Sequence, residues 1–390
     1  MSIWLNAGLI FTLAGVLIFL VRWGNLTCVG SNPLSHISFL AILFTSGLDV
    51  GLIMFPLTEF PVYADIVANP EYAFSNPLAI EFGFWAFLVW SLYFFTCFYF
   101  CVIEPKVGFF EVPVVRWVNN IVIIGTCAFT ASLFLGNLPW YLAKFGDGES
   151  TQPWFYALTF LVIACAVHSS SKLRYVRVLS LSSTVCFIAL IAYIGFEFLI
   201  TPDNKATITT LVHNFGLIGS YFENLNRFVL PINAYHEFYL YWWFAWSIMI
   251  GQFTARFVGG FKVWQLFLAM LLVPSILIGS WFTVLYSLFE NGDDLSKLAS
   301  LAMVSVGLLF VINSLDSLIR LYTDNLSITV KRVGYKRYFV GNLFVLILLT
   351  LLFQIDFLQI QWVGSLVILL MFTCALYVIL KESKALAEIG

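Results

Sequence analysis

Eleven apolar stretches, each about 18–26 residues long, follow one another along this 390-residue chain, with short polar loops between them. They are continuously apolar rather than alternating. In hydrocarbon only helices or a closed barrel can satisfy the backbone, so the stretches read as membrane-spanning helices. The spans drawn this way are 3–22, 36–56, 79–102, 117–137, 153–171, 178–200, 237–256, 263–288, 298–320, 338–355 and 358–380. Composition agrees: 10% of the residues are charged, against about 25% in an ordinary soluble chain.

The basic residues then set the direction of each span. Fifteen of the nineteen Lys and Arg residues, from Arg22 to Lys384, fall on one set of alternate loops. Only Lys144, Lys205, Arg227 and Lys297 fall on the other. By the positive-inside rule the N-terminus is expected outside and the C-terminus in the cytoplasm. A net charge of −2 offers nothing to nucleic acid. The seven cysteines are scattered without a C-x-x-C pair and read as small packing residues, so no metal site is expected. The first apolar run lacks a basic start and an A-x-A site, and Arg22 follows it, so it reads as a helix rather than a signal peptide.

With the first span set aside, five and five remain, and the two halves open in opposite directions. That is the pattern of an inverted repeat. The expected fold class is therefore an all-α polytopic membrane protein with an extra N-terminal helix and a five-plus-five inverted repeat with broken helices. The divisions are 1–30, 31–200, a connecting amphipathic helix in 201–235, and 236–390. The spans that open the halves also have unusual interiors. Gly47-Leu48-Asp49-Val50-Gly51 puts two glycines around a mid-span carboxyl, and Tyr239-Leu240-Tyr241-Trp242-Trp243-Phe244-Ala245-Trp246 leads to Gly251. Both are expected to be irregular, and paired irregular helices point to a midplane site. Close helix packing is the other reading of the glycines.

Two aromatic clusters lie inside spans rather than at their ends. One is Trp85, Trp90 and Tyr93; the other is Trp242, Trp243 and Trp246. Trp90 and Tyr93 share a helix face, as do Trp243 and Trp246. Aromatic faces attract a cation, and quaternary ammonium suits such a box because it donates no hydrogen bond. Packing is the competing reading of the same rings.

At these residues the chain resembles the betaine/choline/carnitine transporter family. The stretch Phe39 to Leu52, continuing to Glu59, resembles that family's glycine-rich broken helix, and Trp85-x4-Trp90-x2-Tyr93 resembles one wall of its aromatic cage. Phe238 to Trp246 resembles its tryptophan-rich helix, followed by Ala255-Arg256 and Leu271-Leu272-Val273-Pro274-Ser275; Asn313-Ser314-Leu315-Asp316-Ser317 resembles its Ser-x-Asp-Ser segment. The resemblance implies a sodium-coupled-symporter fold, often trimeric, and uptake of a betaine-like, choline-like or other onium solute across a prokaryotic inner membrane. It also implies that Trp85, Trp90, Tyr93 and Trp243 line the cage, with Trp242 and Trp246 flanking the pathways. Four departures stand out. The chain reads as a short form without the family's first helix and charged tails. Leu240 and Pro56 replace a usual Trp and a usual Gly, and Asp49 replaces a usual Gly.

A carboxyl at mid-span faces a cavity or a partner, so Asp49 is expected either to face the substrate cation or to carry a coupling proton; pairing with the broken backbone is the structural alternative. Thr45 and the Leu48 carbonyl, with Asn313 and Ser314, could offer oxygens to a hard cation such as Na+. No resident cofactor is expected, only Na+ or H+ as coupling ion. Asp316 reads as a structural or gate residue and His168 as interfacial. No nucleophile–base spacing suggests an enzyme. Two alternatives stay open: a transporter-derived structural subunit of a larger membrane complex, and a transporter of an amino acid or neutral osmolyte.

Overall fold

The computed structural model describes residues 3–48, 50–142, 152–200 and 207–381, with Val50 described by its backbone alone. Asp49, Lys144, Lys205, Lys384 and the acidic 147–149 stretch lie outside the described residues. The protein is an almost entirely helical, multi-pass membrane protein. Nine helical units among the described residues are long and apolar enough to cross a bilayer. They are α1 (Ile3–Trp23), the unit Pro77–Val107, α7 (Pro113–Tyr141), α8 (Pro153–Ser170), α9 (Leu173–Ile200), α14 (Val263–Asn291), α15 (Lys297–Asn325), α17 (Tyr335–Gln354), which follows the single turn α16 (Val330–Val333), and α18 (Ile360–Lys381). A tenth crossing is the pair α2 (His36–Ser46) and α3 (Val50–Ala64), bent by 50°. The eleventh expected span is α13 (Ala234–Ala255), of spanning length but with its hydropathy lowered by Tyr, Trp and the polar pair His236-Glu237.

Local sequence explains the helix starts. Ser35, Asn76, Asn233 and Ser296 each accept a hydrogen bond from the backbone N–H three residues on. Pro77, Pro113 and Pro153 occupy first-turn positions, where a missing N–H costs nothing.

Breaks occur at two places. The first, between Ser46 and Val50, is the expected one. The second divides the expected span 79–102 into α4 (Pro77–Trp85) and α5 (Leu88–Phe98), which continues through a π turn at Tyr99–Ile103 into α6 (Glu104–Val107). Phe87 sits there at φ 51°, a conformation that costs about 1–3 kcal/mol for a bulky residue. The expectation of an irregular tryptophan span fails, because α13 is continuous. Gly251 serves close packing instead: a Cβ there would lie 2.1 Å from Thr96 Oγ1 and 2.7 Å from the Cys97 nitrogen on α5.

At the centre of the bundle α13 lies between α5 and α18, while α15 crosses α7, α8 and α9. Where one connecting helix was expected, the described part of the 201–235 segment contains three short helices before α13, α10 (Ile208–Leu217), α11 (Gly219–Glu223) and α12 (Leu225–Phe228). Its polar face anchors through Asn214, which donates to Ser287 Oγ and Glu290 Oε2, both at 2.9 Å, while Ile208, Val212 and Phe215 stay exposed.

The loops rich in Lys and Arg gather at one end of the bundle. Strand β1 (Thr27–Val29) pairs antiparallel with β2 (Gly259–Lys262), joining the loop after α1 to the loop after α13. Arg256 and Arg320 both hold Asp324, at 3.3 and 3.1 Å. Arg177 reaches Ser38 Oγ at 3.1 Å. The start of α2 and the end of α13 therefore lie at the same end, and these two helices run in opposite directions.

Candidate functional site

The second break explains where the tryptophans go. In an unbroken helix the Phe84 and Trp85 carbonyls would accept from residues 88 and 89. At the break those carbonyls face buried protein, where an unpaired backbone group is costly. Trp243 Nε1 donates to the Phe84 oxygen at 2.8 Å and Trp90 Nε1 to the Trp85 oxygen at 3.2 Å. The freed donors find hydroxyls: the Phe87 N–H reaches Ser275 Oγ at 3.0 Å and the Leu88 N–H reaches Tyr221 OH at 3.4 Å. Tyr93 OH donates to the Gly47 carbonyl at 3.1 Å, which ties this break to the first one.

The expected cage residues are thus brought together around α4, α5 and α13. Trp85, Trp90, Tyr93, Trp242, Trp243 and Trp246 are all buried, none more than 1% exposed. They close on one another. Trp242 and Trp243 stack at 5.0 Å and 5°, and the Trp85 ring meets Trp243 at 5.2 Å and 74°. Tyr93 meets Trp243 at 6.4 Å and 75°, and Trp90 meets Tyr93 at 5.1 Å and 77°. A cation binds with its centre within about 6 Å of each ring centroid, so ring pairs this close must part to admit one. Among the described residues, the indole nitrogens of Trp85, Trp242 and Trp246 have no hydrogen-bond partner.

The oxygens expected for a cation are only partly assembled. Ser314 Oγ donates to the Leu48 carbonyl beside the first break, and Ser46 pairs with Ser317 at 2.7 Å. Thr45 donates back to Ala41 at 2.8 Å. Asn313 turns to α9, where it donates to Ser183 Oγ at 2.6 Å and accepts from Ser180 at 3.2 Å. Asp316 accepts from Ser169 at 2.5 Å and from Ser317 at 3.3 Å, joining α15 to α8.

Vestibules lie at both ends. A cavity of about 890 Å³, lined by Leu57, Trp140, Asp293, Asp294 and Lys297 among others, opens at the end away from the basic loops. A chamber of about 130 Å³ continues from Leu57 and Trp140 to Met54 and Met303. At the basic end a polar pocket of about 310 Å³ is lined by residues including Arg116, Asn119, Gln252, Arg256 and Asp324.

Sequence reasoning missed two elements of this region. One is the break at Phe87, for which no glycine or proline gives a signal. The other is Glu81, fully buried on α4, together with Glu59 and the tyrosines Tyr63, Tyr235 and Tyr239 around them. Glu81 was within reach of the rule applied to Asp49, since it too is a carboxyl inside an apolar span.

The family description "BCCT, betaine/carnitine/choline family transporter" matches residues 110–288. The chain is 24% identical over 326 residues to an uncharacterised transporter of Mycobacterium tuberculosis, covering 70% of this chain and 53% of that protein. It is 22% identical over 337 residues to a glycine betaine transporter of Acinetobacter baylyi, covering 73% and 49%. A high-affinity choline transport protein of Escherichia coli is 23% identical over 295 residues, covering 66% and 43%. The chain spans about half the length of these relatives. The family match, over less than half of the chain, and these relatives make the chain similar to the betaine/carnitine/choline family transporters, and so to transporters rather than enzymes; the helical membrane architecture agrees.

Proposed function

We propose that this protein is a secondary active transporter that imports a quaternary ammonium or related onium solute, such as betaine, choline or a carnitine-like compound, coupled to a proton or sodium gradient. The observation that carries this reading is the fully buried cluster of Trp85, Trp90, Tyr93 and Trp243, set where two broken helices meet α13. Vestibules at opposite ends support passage through it. An inverted repeat with divisions at 31–200 and 236–390 is part of the proposal. It is supported by the opposite directions of α2 and α13 and by reciprocal packing: α15 lies on α8 as α17 lies on α7, and α15 on α9 as α18 on α7. The basic loops gathered at one end support an N-terminus outside and a C-terminus in the cytoplasm.

The coupling ion has two candidate positions. The Leu48 carbonyl and Ser314 could serve sodium, with Thr45 and Asn313 nearby in sequence; Asp49 could serve a proton. A second reading has one observation in its favour: the rings are closed and two of them cap backbone, as befits a structural subunit that no longer transports. Uptake of radiolabelled choline and glycine betaine into proteoliposomes, with sodium and pH gradients imposed separately, separates the two. Accumulation that depends on one gradient is expected. Its absence for every solute and gradient favours the structural subunit.

A further inference from the structure

The carboxyls of Glu59 and Glu81 meet at one phenol. Tyr63 OH lies 2.6 Å from Glu59 Oε2 and 3.0 Å from Glu81 Oε2. Glu59 also accepts from Tyr239 OH at 2.8 Å and from Tyr235 OH. A phenol carries one hydrogen, and the shorter contact claims it for Glu59. The contact from Glu81 to the Tyr63 oxygen is then attractive only if Glu81 supplies a hydrogen of its own. Three phenol donors satisfy Glu59 as an anion, whereas Glu81 fits the array as the acid.

The surroundings fit one proton on the pair. No ion pair among the described residues involves either carboxyl, and a buried charge without a partner is expensive. On α13 His236 is a further ionisable neighbour, its ring stacked on Phe84 at 4.4 Å and its Nδ1 accepting from the Ile232 N–H, with Glu237 following it on the same helix. From the 3₁₀ turn Pro70–Tyr72, Tyr72 stacks edge-on against Tyr63, and Glu71 is held by Asn233 Nδ2 at 2.8 Å. On α14 Tyr286 packs against Phe60, on α11 Tyr221 packs against Phe82, and Arg227 lies over Phe74.

Two further atoms point inward at this pair. Among the described residues Glu81 Oε1 is buried without a hydrogen-bond partner, and so is Trp85 Nε1 one helical turn on, whose indole interacts with the Glu81 side chain without reaching hydrogen-bond geometry. The Trp85 ring in turn touches Tyr239, Trp242 and Trp243. The array therefore runs from the aromatic cluster, through Glu81, Tyr63 and Glu59, to Tyr235, which is 40% exposed.

We propose that Glu81, Tyr63 and Glu59 form a proton-binding site linked to occupancy of the aromatic cluster. Glu81 holds one dissociable proton and loses it as a cationic solute enters beside Trp85. The Glu81 O–H bond breaks toward the Tyr63 oxygen, the Tyr63 hydrogen passes to Glu59, and Glu59 yields its proton to water near Tyr235. The pair is left as two carboxylates beside the incoming cation. This rests on the reading that the aromatic cluster takes an onium group.

Infrared difference spectroscopy on the full chain in lipid vesicles tests it, with choline as probe and parent, Glu81→Gln and Asp316→Asn compared. Gln keeps a donor for Tyr63, so the variant should fold. The parent and Asp316→Asn should show a protonated-carboxyl band that falls as pH is raised and falls again when choline is added at fixed pH; Glu81→Gln should show neither change. Choline affinity of the parent should tighten with pH, by up to about tenfold per unit for one linked proton, and Glu81→Gln should flatten that dependence. An unaltered band in Glu81→Gln, or a band in the parent that ignores bound choline, overturns the proposal. Failure of choline to bind the parent at any pH sinks the onium reading instead; the band then shows by itself whether Glu81 titrates.

Discussion

Replacing Trp243 by Phe separates two roles that the structure gives one side chain. The ring face belongs to the aromatic cluster, while the N–H caps the Phe84 carbonyl at 2.8 Å. Phe keeps a face and removes the donor. A buried carbonyl left unpaired costs about 1–3 kcal/mol, which is a factor of roughly five to 150 in the folding equilibrium. Trp243→Ala loses the same cap, the packing, and one cation–π contact worth about 2 kcal/mol in a desolvated site. Equilibrium unfolding in mixed detergent should therefore show Trp243→Phe destabilised by this amount. Trp90→Phe should be destabilised by less, because its bond to the Trp85 carbonyl is longer, at 3.2 Å. Choline binding, followed calorimetrically under conditions where all variants are folded, should weaken about tenfold or more in Trp243→Ala and much less in Trp243→Phe. Parent-like unfolding in both Phe variants would refute the capping argument. Unaltered binding in Trp243→Ala would refute the cation box and leave the rings as packing.

The other end of the broken bond pattern gives a companion test: Ser275→Ala strands the Phe87 N–H and should destabilise by about 1–3 kcal/mol, read by the same unfolding assay. Gly251→Ala should separate α13 from α5, because its Cβ would fall 2.1 Å from Thr96 Oγ1; an overpacking cost of about 1–3 kcal/mol is expected, and a parent-like melting temperature would contradict the contact. A reporter fused after Lys384 should read cytoplasmic and one inserted at 147–150 external; the reverse result would overturn the orientation.

How much of this was legible depended on whether the signal was local. Continuous apolar runs mark the spans because the bilayer demands a minimum length and a satisfied backbone, and those constraints act on each stretch by itself. Glycines on either side of Asp49 mark the first break for the same reason. The break at Phe87 has no such mark: Ala86 and Phe87 are unremarkable residues, and the interruption is held by Ser275, Tyr221, Trp90 and Trp243 from four different helices. The tryptophan helix misled in the other direction, since its crowding of bulky rings and its glycine suggested irregularity. Those rings pack against α4, α5 and α7 without disturbing α13, and Gly251 allows the approach. Asn313 and Ser314 are adjacent in sequence and face different helices, because neighbours on a helix lie about 100° apart. Only three-dimensional packing could assign one to α9 and the other to the Leu48 carbonyl.

The closed cluster also says which ring has to move for a solute to enter. Trp243 and Trp90 are held by their N–H groups to backbone carbonyls, and Tyr93 is held by its hydroxyl to Gly47. Among the described residues Trp85 has no such tether, and its N–H is without a hydrogen-bond partner. Swinging it away breaks edge-on contacts with Trp242, Trp243 and Tyr239, each worth about 0.5–1.5 kcal/mol, but no hydrogen bond. With the edge-on contact to Phe55 included the loss is about 2–6 kcal/mol, and a desolvated cation seated over two of the exposed faces regains a comparable amount, about 4 kcal/mol. Moving Trp90, Tyr93 or Trp243 would add an unpaired buried carbonyl to the cost, so among these four rings the lowest-energy opening is by Trp85. Fluorotryptophan at position 85 should therefore shift its ¹⁹F resonance when choline binds, while the label at 243 shifts less; the opposite order would show that the N–H tethers do not hold the rings in place. Because Glu81 stands one turn before Trp85 on the same short helix, displacement of that ring also changes the surroundings of the carboxyl pair, which gives solute entry and proton loss a shared moving part.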